Sequence, residues 1–294
     1  MTEASSSAEQ TAPRPVFVSP ADLASELDGS TRPHLLDVRW VFGGPPGRPE
    51  YLEAHLPGAV YVDLDTELST HGAPEDGRHP LPDVADLQVA VRRWGLRAGE
   101  PVVVYDDWKG MAAGRAWWLL RWTGIADVRI LDGGLAAWRA AGLPVEAGDV
   151  TADAGDVELQ PGQMPTLDPD GAAALARAGV LLDARPAVRY RGEQEALDPR
   201  PGHIPGARSA PTADNVSADG TMLPADRLRA RFAGLGVVAG GDVPVGVYCG
   251  SGVTAAHTVA VLADQGIDAA LYPGSWSQWS NLPERPAVTG SEPG

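Results

Sequence analysis

The chain has 294 residues, 44% hydrophobic and 21% charged, which is enough for two soluble domains with substantial cores. A net charge of -16 argues against a nucleic-acid or anionic-membrane surface, although a local field can still receive a small anion. One cysteine excludes an internal disulfide framework and a multi-cysteine zinc site, and no apolar run approaches the roughly 20 residues of a membrane span.

Residues 1–14 are rich in Ser, Ala, Thr and Glu with no apolar core, so they read as a disordered tail on a cytoplasmic protein rather than a signal peptide. Ser19 is placed to cap a short helix starting at Pro20. His34 to Arg39 reads as a buried strand, followed by Gly43-Gly44-Pro45-Pro46-Gly47, which no regular element tolerates. His55-Leu56-Pro57-Gly58-Ala59 leads into a short strand with Val60 and Val62. Residues 65–82 are polar and Pro/Gly-containing, hence loop. Val84 to Trp94 has helical spacing and stops at Gly95. Pro101 to Tyr105 is a compact apolar strand ending in Asp106-Asp107, Gly114 to Trp122 a bulky helix, and Val128 to Leu131 another strand.

Glu146 to Met164 has the composition of an interdomain linker, and beyond it the same parts return in the same order. Leu181-Leu182-Asp183-Ala184-Arg185 mirrors Leu35-Leu36-Asp37-Val38-Arg39. His203-Ile204-Pro205-Gly206-Ala207 mirrors the block at His55. Val247-Tyr248-Cys249 mirrors Val104-Tyr105-Asp106, and Tyr272 to Trp279 mirrors Leu131 to Trp138. Four matched blocks in one order indicate a duplication. The expected architecture is α/β: two tandem domains, residues 15–145 and 165–290, joined by a linker over 146–164, each a mostly parallel sheet flanked by helices.

The lone cysteine sits in Val245-Gly246-Val247-Tyr248-Cys249-Gly250-Ser251-Gly252-Val253-Thr254. A β-rich run ends at Cys249, a glycine-punctuated loop follows, and Thr254 opens an apolar helical pattern. Gly250 and Gly252 let the backbone curl with its N–H groups inward, and the helix N-terminus adds to them, so the sulfur is favoured as a thiolate. Parallel sheets bind ligands beyond the C-terminal ends of their strands, where Asp106 and Cys249 both fall. A phosphatase loop would need an arginine six positions after the cysteine, where Ala255 stands, and no arginine follows until Arg285.

These blocks resemble the tandem-domain rhodanese family, the thiosulfate and 3-mercaptopyruvate sulfurtransferases, over residues 15 to 288. Cys249-Gly250-Ser251-Gly252-Val253-Thr254 is the most specific part. The resemblance implies a catalytic second domain and an inactive first domain with Asp106 in the nucleophile's place. It implies a Cys249 persulfide, held by the N–H groups of Gly250, Gly252, Val253 and Thr254, without cofactor or metal. The sulfur would pass to cyanide, a thiol or a protein cysteine, with no nucleic-acid or membrane partner. An uncharged loop of this kind is similar to the 3-mercaptopyruvate type, since thiosulfate, a compact dianion, gains from cations at the second and third positions. Ser251 would hand on a proton. Arg189 stands where a substrate-carboxylate arginine is implied, with Arg200 the nearest candidate for a second and Arg191 the next. His55 matches a relay histidine, but Gly43 to Pro49 holds no acid to partner it, leaving Glu50 or Glu53. His203 fills the same slot in the other copy. Thiosulfate:cyanide transfer through the same nucleophile, and a non-catalytic persulfide carrier, are the alternatives.

Overall fold

The computed structural model describes residues 15–294, so the tail expected over residues 1–14 lies outside the described residues. The first half runs β1 (Phe17–Val18), α1 (Pro20–Leu27), β2 (His34–Asp37), α2 (Arg48–Glu53), β3 (Val60–Tyr61), α3 (Leu64–Glu67), α4 (Val84–Arg93), β4 (Val102–Tyr105), α5 (Met111–Trp122), β5 (Val128–Leu131) and α6 (Gly134–Ala140). The second half runs α7 (Pro169–Ala178), β6 (Val180–Asp183), α8 (Ala187–Tyr190), β7 (Arg208–Ser209), α9 (Ala225–Gly234), β8 (Val245–Tyr248), α10 (Val253–Asp264), β9 (Ala270–Leu271) and α11 (Ser275–Asn281). Ser19 caps α1, its Oγ accepting the Asp22 N–H at 3.1 Å, and Pro20 occupies a first-turn position that needs no N–H.

Each half forms one sheet, ordered β1-β5-β4-β2-β3 and β7-β6-β8-β9, and every ladder is parallel. The central strands β4 and β8 are buried along their whole length, as continuous apolar runs covered on both faces must be. Register repeats between the halves: Asp37 lies beside Tyr105, and Asp183 beside Tyr248. In the second half a single parallel bridge from Thr166 to Leu271 replaces the edge strand β1. The 146–164 segment is strapped along the first domain, with Glu146 bridged to His55, Gly155 N–H on Arg92 O at 2.7 Å and Gln163 N–H on Trp122 O at 3.0 Å.

The helices that follow β4 and β8 explain how the two halves meet. Met111 through Leu120 of α5 are all buried, and so is every residue from Val253 to Leu262 of α10 except Thr254. A helix apolar on all sides belongs inside a core, and these two pack on each other across the domain boundary. Gly114 makes the contact possible: a Cβ there would fall 2.6–2.8 Å from the backbone and Cβ of His257. Core residues of both sheets therefore form one continuous cluster.

Candidate active site

Cys249 directly follows β8 and lines a cleft of about 710 Å³ at the domain boundary, walled by Trp40, Phe42, Trp108 and Met111 on one side and by Arg185, Arg189 and Thr212 on the other. The sulfur itself is nearly buried and accepts the Gly252 N–H at 3.1 Å. Gly252 is left-handed (φ 80°) and caps α10, which turns the chain back over the sulfur. The loop is held from behind by α11: Trp276 N–H donates to Cys249 O and Ser277 N–H to Gly250 O, each at 2.9 Å. Ser275, forced to φ 54°, accepts the Cys249 N–H on its Oγ at 3.1 Å. The N–H groups of Gly250, Ser251, Val253, Thr254 and Ala255 make no hydrogen bond to protein among the described residues. They leave a run of free backbone donors in the loop that carries the sulfur and in the first turn of α10.

Side chains from the first domain reach this loop. His79 Nδ1 lies 2.7 Å from Ser251 Oγ, and its Nε2 lies 3.7 Å from Asp65 Oδ1. Burial, reinforced by the Arg115 and Arg78 charges, pulls the His79 pKa down to about 4, so the imidazole is neutral at physiological pH. One tautomer then accepts the serine proton at Nδ1 while presenting Nε2–H to Asp65. Arg78 is ion-paired to Asp198 Oδ1, and the other oxygen of that buried carboxylate takes Arg189 Nη2 at 2.8 Å. Arg189 Nη2 also bonds Glu195 Oε1 at 2.8 Å. Arg78 Nη2 and Arg189 Nη1 bond to no protein acceptor among the described residues, and they converge 3.0 and 3.4 Å from the point where a side chain at Gly250 would begin. Glycine at 250 keeps that gap open.

Of the residues expected from sequence, Cys249, Ser251, Gly250, Gly252, Val253, Thr254 and Arg189 are brought together here. His55 is not. It is fully buried in the first domain, stacked on Tyr51 with centroids 4.1 Å apart, its Nδ1 2.8 Å from Tyr51 O and its Nε2 3.3 Å from Glu146. His203 repeats this on Tyr190, so the matched histidines stiffen the turn before each Pro-Gly pair. Arg200 also leaves the site: its guanidinium is spent on the carbonyls of Trp279, Ser280, Leu282 and Arg285. Arg191 pairs with Glu193 on the surface. Arg185 pairs with buried Asp183 at 2.6 Å and lies over the Trp276 ring, which is wholly enclosed rather than cleft-lining. Missed by the sequence reading were Asp65, Arg78 and His79. Arg78 and His79 come from the irregular part of the 65–82 segment, but Asp65 sits in α3, where the Asp63 cap turns the expected loop into a short helix through Glu67; a long polar segment carrying His, Arg and Asp was the available signal. Among the described residues no cluster of His, Cys, Asp or Glu is arranged to hold a metal ion, and no helix is long and apolar enough to cross a membrane.

A family model described as a rhodanese-like domain matches residues 19–141 and again 168–282. The chain is 49% identical over 282 residues to the "Putative thiosulfate sulfurtransferase SseB" of Mycobacterium tuberculosis H37Rv, covering 94% of this chain and 98% of the relative. It is 46% identical over 266 residues to the "Probable 3-mercaptopyruvate sulfurtransferase" of Pseudomonas aeruginosa, covering 87% and 92%. Among solved structures, the 3-mercaptopyruvate sulfotransferase SseA from Escherichia coli superposes with a TM-score of 0.79 at 34% identity, covering 90% of this chain and 99% of that one.

Proposed function

This chain belongs to the rhodanese family and is a sulfurtransferase, and on that premise we propose that it takes sulfur from 3-mercaptopyruvate onto Cys249 and passes it to a thiol or cyanide acceptor. The Cys249 thiolate attacks the donor's sulfur, an S–S bond forms, and the C–S electron pair leaves as pyruvate enolate. The donor's thiol proton moves through Ser251 to neutral His79, whose Nε2–H faces Asp65, and returns to the enolate carbon. Cys249 is left as an anionic persulfide and pyruvate departs, so every atom and proton is accounted for. An acceptor nucleophile then removes the outer sulfur and restores the thiolate.

The observation that carries the donor choice is the pair of unoccupied guanidinium donors, Arg78 Nη2 and Arg189 Nη1, converging beside Gly250. Two guanidinium donors converging on one point suit the two oxygens of one carboxylate. Asp198 and Glu195 already neutralise the two cations, which favours a monocarboxylate over a compact dianion such as thiosulfate. The loop itself carries no cation. Cytoplasmic placement, where thiol acceptors are reduced, accords with one unpaired cysteine.

The named relatives divide between the two donors, so cyanide-coupled steady-state kinetics on both decide the reading. The expected result is a kcat/KM for 3-mercaptopyruvate at least about tenfold above that for thiosulfate, one good charge-assisted bond's worth of discrimination. A preference for thiosulfate would overturn the donor. Thiocyanate from neither would leave a persulfide carrier.

A further inference from the structure

α5 and α10 each follow a left-handed glycine, Gly110 and Gly252, and each runs twelve residues. The fifth residue after that glycine is Arg115 in one helix and His257 in the other. Both side chains are fully buried, and each reaches across the domain boundary to the other helix's first turn. Arg115 Nη1 donates to Gly252 O at 3.4 Å, while the His257 ring lies 3.3 Å from where a Cβ on Gly110 would stand. The relation between the halves is thus broken in charge. Under the Asp106 loop sits an imidazole that burial holds neutral, its pKa pulled down to about 4. Under the Cys249 loop sits a guanidinium.

Among the described residues that guanidinium has no carboxylate partner. Nε donates to Leu68 O at 3.1 Å, and Nη2 to His79 O at 3.0 Å and Pro80 O at 3.2 Å. A buried cation matched only by carbonyl dipoles is costly to keep. Burial pulls its pKa down to about 10, and the one charge opposing that pull is the Cys249 sulfur. The cleft's other arginines are all paired: Arg78 and Arg189 with Asp198, Arg189 also with Glu195, and Arg185 with Asp183. His79 is neutral opposite Asp65, and Lys109 on the outer lip bonds Ala218 O.

We propose that Arg115 is the counter-ion of the Cys249 anion, a positioning residue supplied by the domain that has no nucleophile. It favours the thiolate before transfer and the persulfide after it. The same side chain ties the carbonyls of His79 and Pro80 to Gly252, so charge and proton relay are fixed to the sulfur loop together. The proposal rests on Cys249 being the nucleophile.

Iodoacetamide alkylation of Cys249, the only cysteine, tests it in wild type, Arg115→Met, Arg115→Gln and Arg115→Lys, each checked by circular dichroism and a cooperative melt. Gln still donates to the carbonyls and serves if Met does not fold. The neutral variants should alkylate about tenfold slower at about pH 7, with the gap to wild type narrowing steadily as pH rises toward about 10, while Lys stays within about threefold throughout. Equal rates at neutral pH overturn the proposal. So does a slowing that persists undiminished at high pH, which marks Arg115 as a structural brace alone. Retained sulfur transfer by fully alkylated wild type would instead sink the nucleophile assignment, a separate failure.

Discussion

The loops after β4 and β8 begin alike, yet one is filled and the other waits. Asp106 directly follows β4 as Cys249 directly follows β8, and each loop enters its helix through a left-handed glycine. In the first domain the Asp106 carboxylate takes four backbone N–H groups at 2.8 Å: Trp108 and Gly110 on Oδ1, Ala112 and Ala113 on Oδ2. Burial pushes its pKa up while these donors pull it back. In the second domain the Gly252 N–H, counterpart of Gly110, lies on the sulfur, and the counterparts of Ala112 and Ala113, namely Thr254 and Ala255, donate to no protein acceptor. A carboxylate and a cysteine persulfide have the same reach beyond Cβ, two further atoms. On the proposed mechanism, the first domain carries a permanent version of the anion that the second domain makes for one turnover. The carbonyls of Asp106 and Cys249 are covered in the same way, by Leu135 N–H at 3.0 Å and by Trp276 N–H at 2.9 Å. Where the first loop uses Gly134 in a left-handed turn, the second strains Ser275 into it and gains an acceptor for the Cys249 N–H.

If the comparison holds, the two loops respond oppositely to losing their anion. Cys249→Ser should lose at least about 10³-fold in sulfur transfer while its melting temperature barely moves, measured with mercaptopyruvate and cyanide. Asp106→Ala should do the reverse, losing about 3 kcal/mol or more in urea unfolding because four buried N–H groups are left without a partner. A fully stable Asp106→Ala would break the analogy. The relay sharpens it further. His79→Ala should lower kcat with mercaptopyruvate by about 10²-fold, whereas His55→Ala should lower stability and leave kcat of the folded fraction alone. At the clamp, Arg78→Met should raise KM for mercaptopyruvate about tenfold to a hundredfold with little change in kcat, and Arg200→Met should not.

The smallest effect concerns pH. His257 ionises near 4 in the folded chain and near 6.5 when unfolded, so below about pH 6.5 the unfolded state takes up a proton that the folded state refuses. Stability should fall from about pH 6.5 toward 4, by about 2–3 kcal/mol from this residue. His257→Asn should flatten that segment of a urea-midpoint profile whatever its absolute stability, and an unchanged slope would refute the assignment.

Strands, tandem halves and the cysteine loop were legible because each is local. Buried parallel strands are continuous apolar runs, and duplication repeats its blocks at recognisable intervals. The site's second half was not legible, because His79 and Ser251 are 172 residues apart and Arg78 and Asp198 are 120 apart. The packing of α5 on α10, and of α11 on the 74–78 segment, joins them. The repeated histidine misled for a physical reason: a residue present in both copies, when one copy lacks the sulfur, answers to something both copies need. Here that is the ring stacked on Tyr51 or Tyr190. Arg115 left a fainter trace, one charge inside an otherwise apolar run from Met111 to Leu120.

The bare backbone at Gly114 sets a limit on dissection. A second half released at the 146–164 strap would take Cys249 with it and leave behind Asp65, Arg78, His79 and Arg115, while exposing α10 on the side that α5 now covers. Such a fragment would be sticky and inert at once. The molecule counts as two folds by architecture and, on the proposed mechanism, as one by chemistry, so a truncation between them should transfer no sulfur from mercaptopyruvate to cyanide.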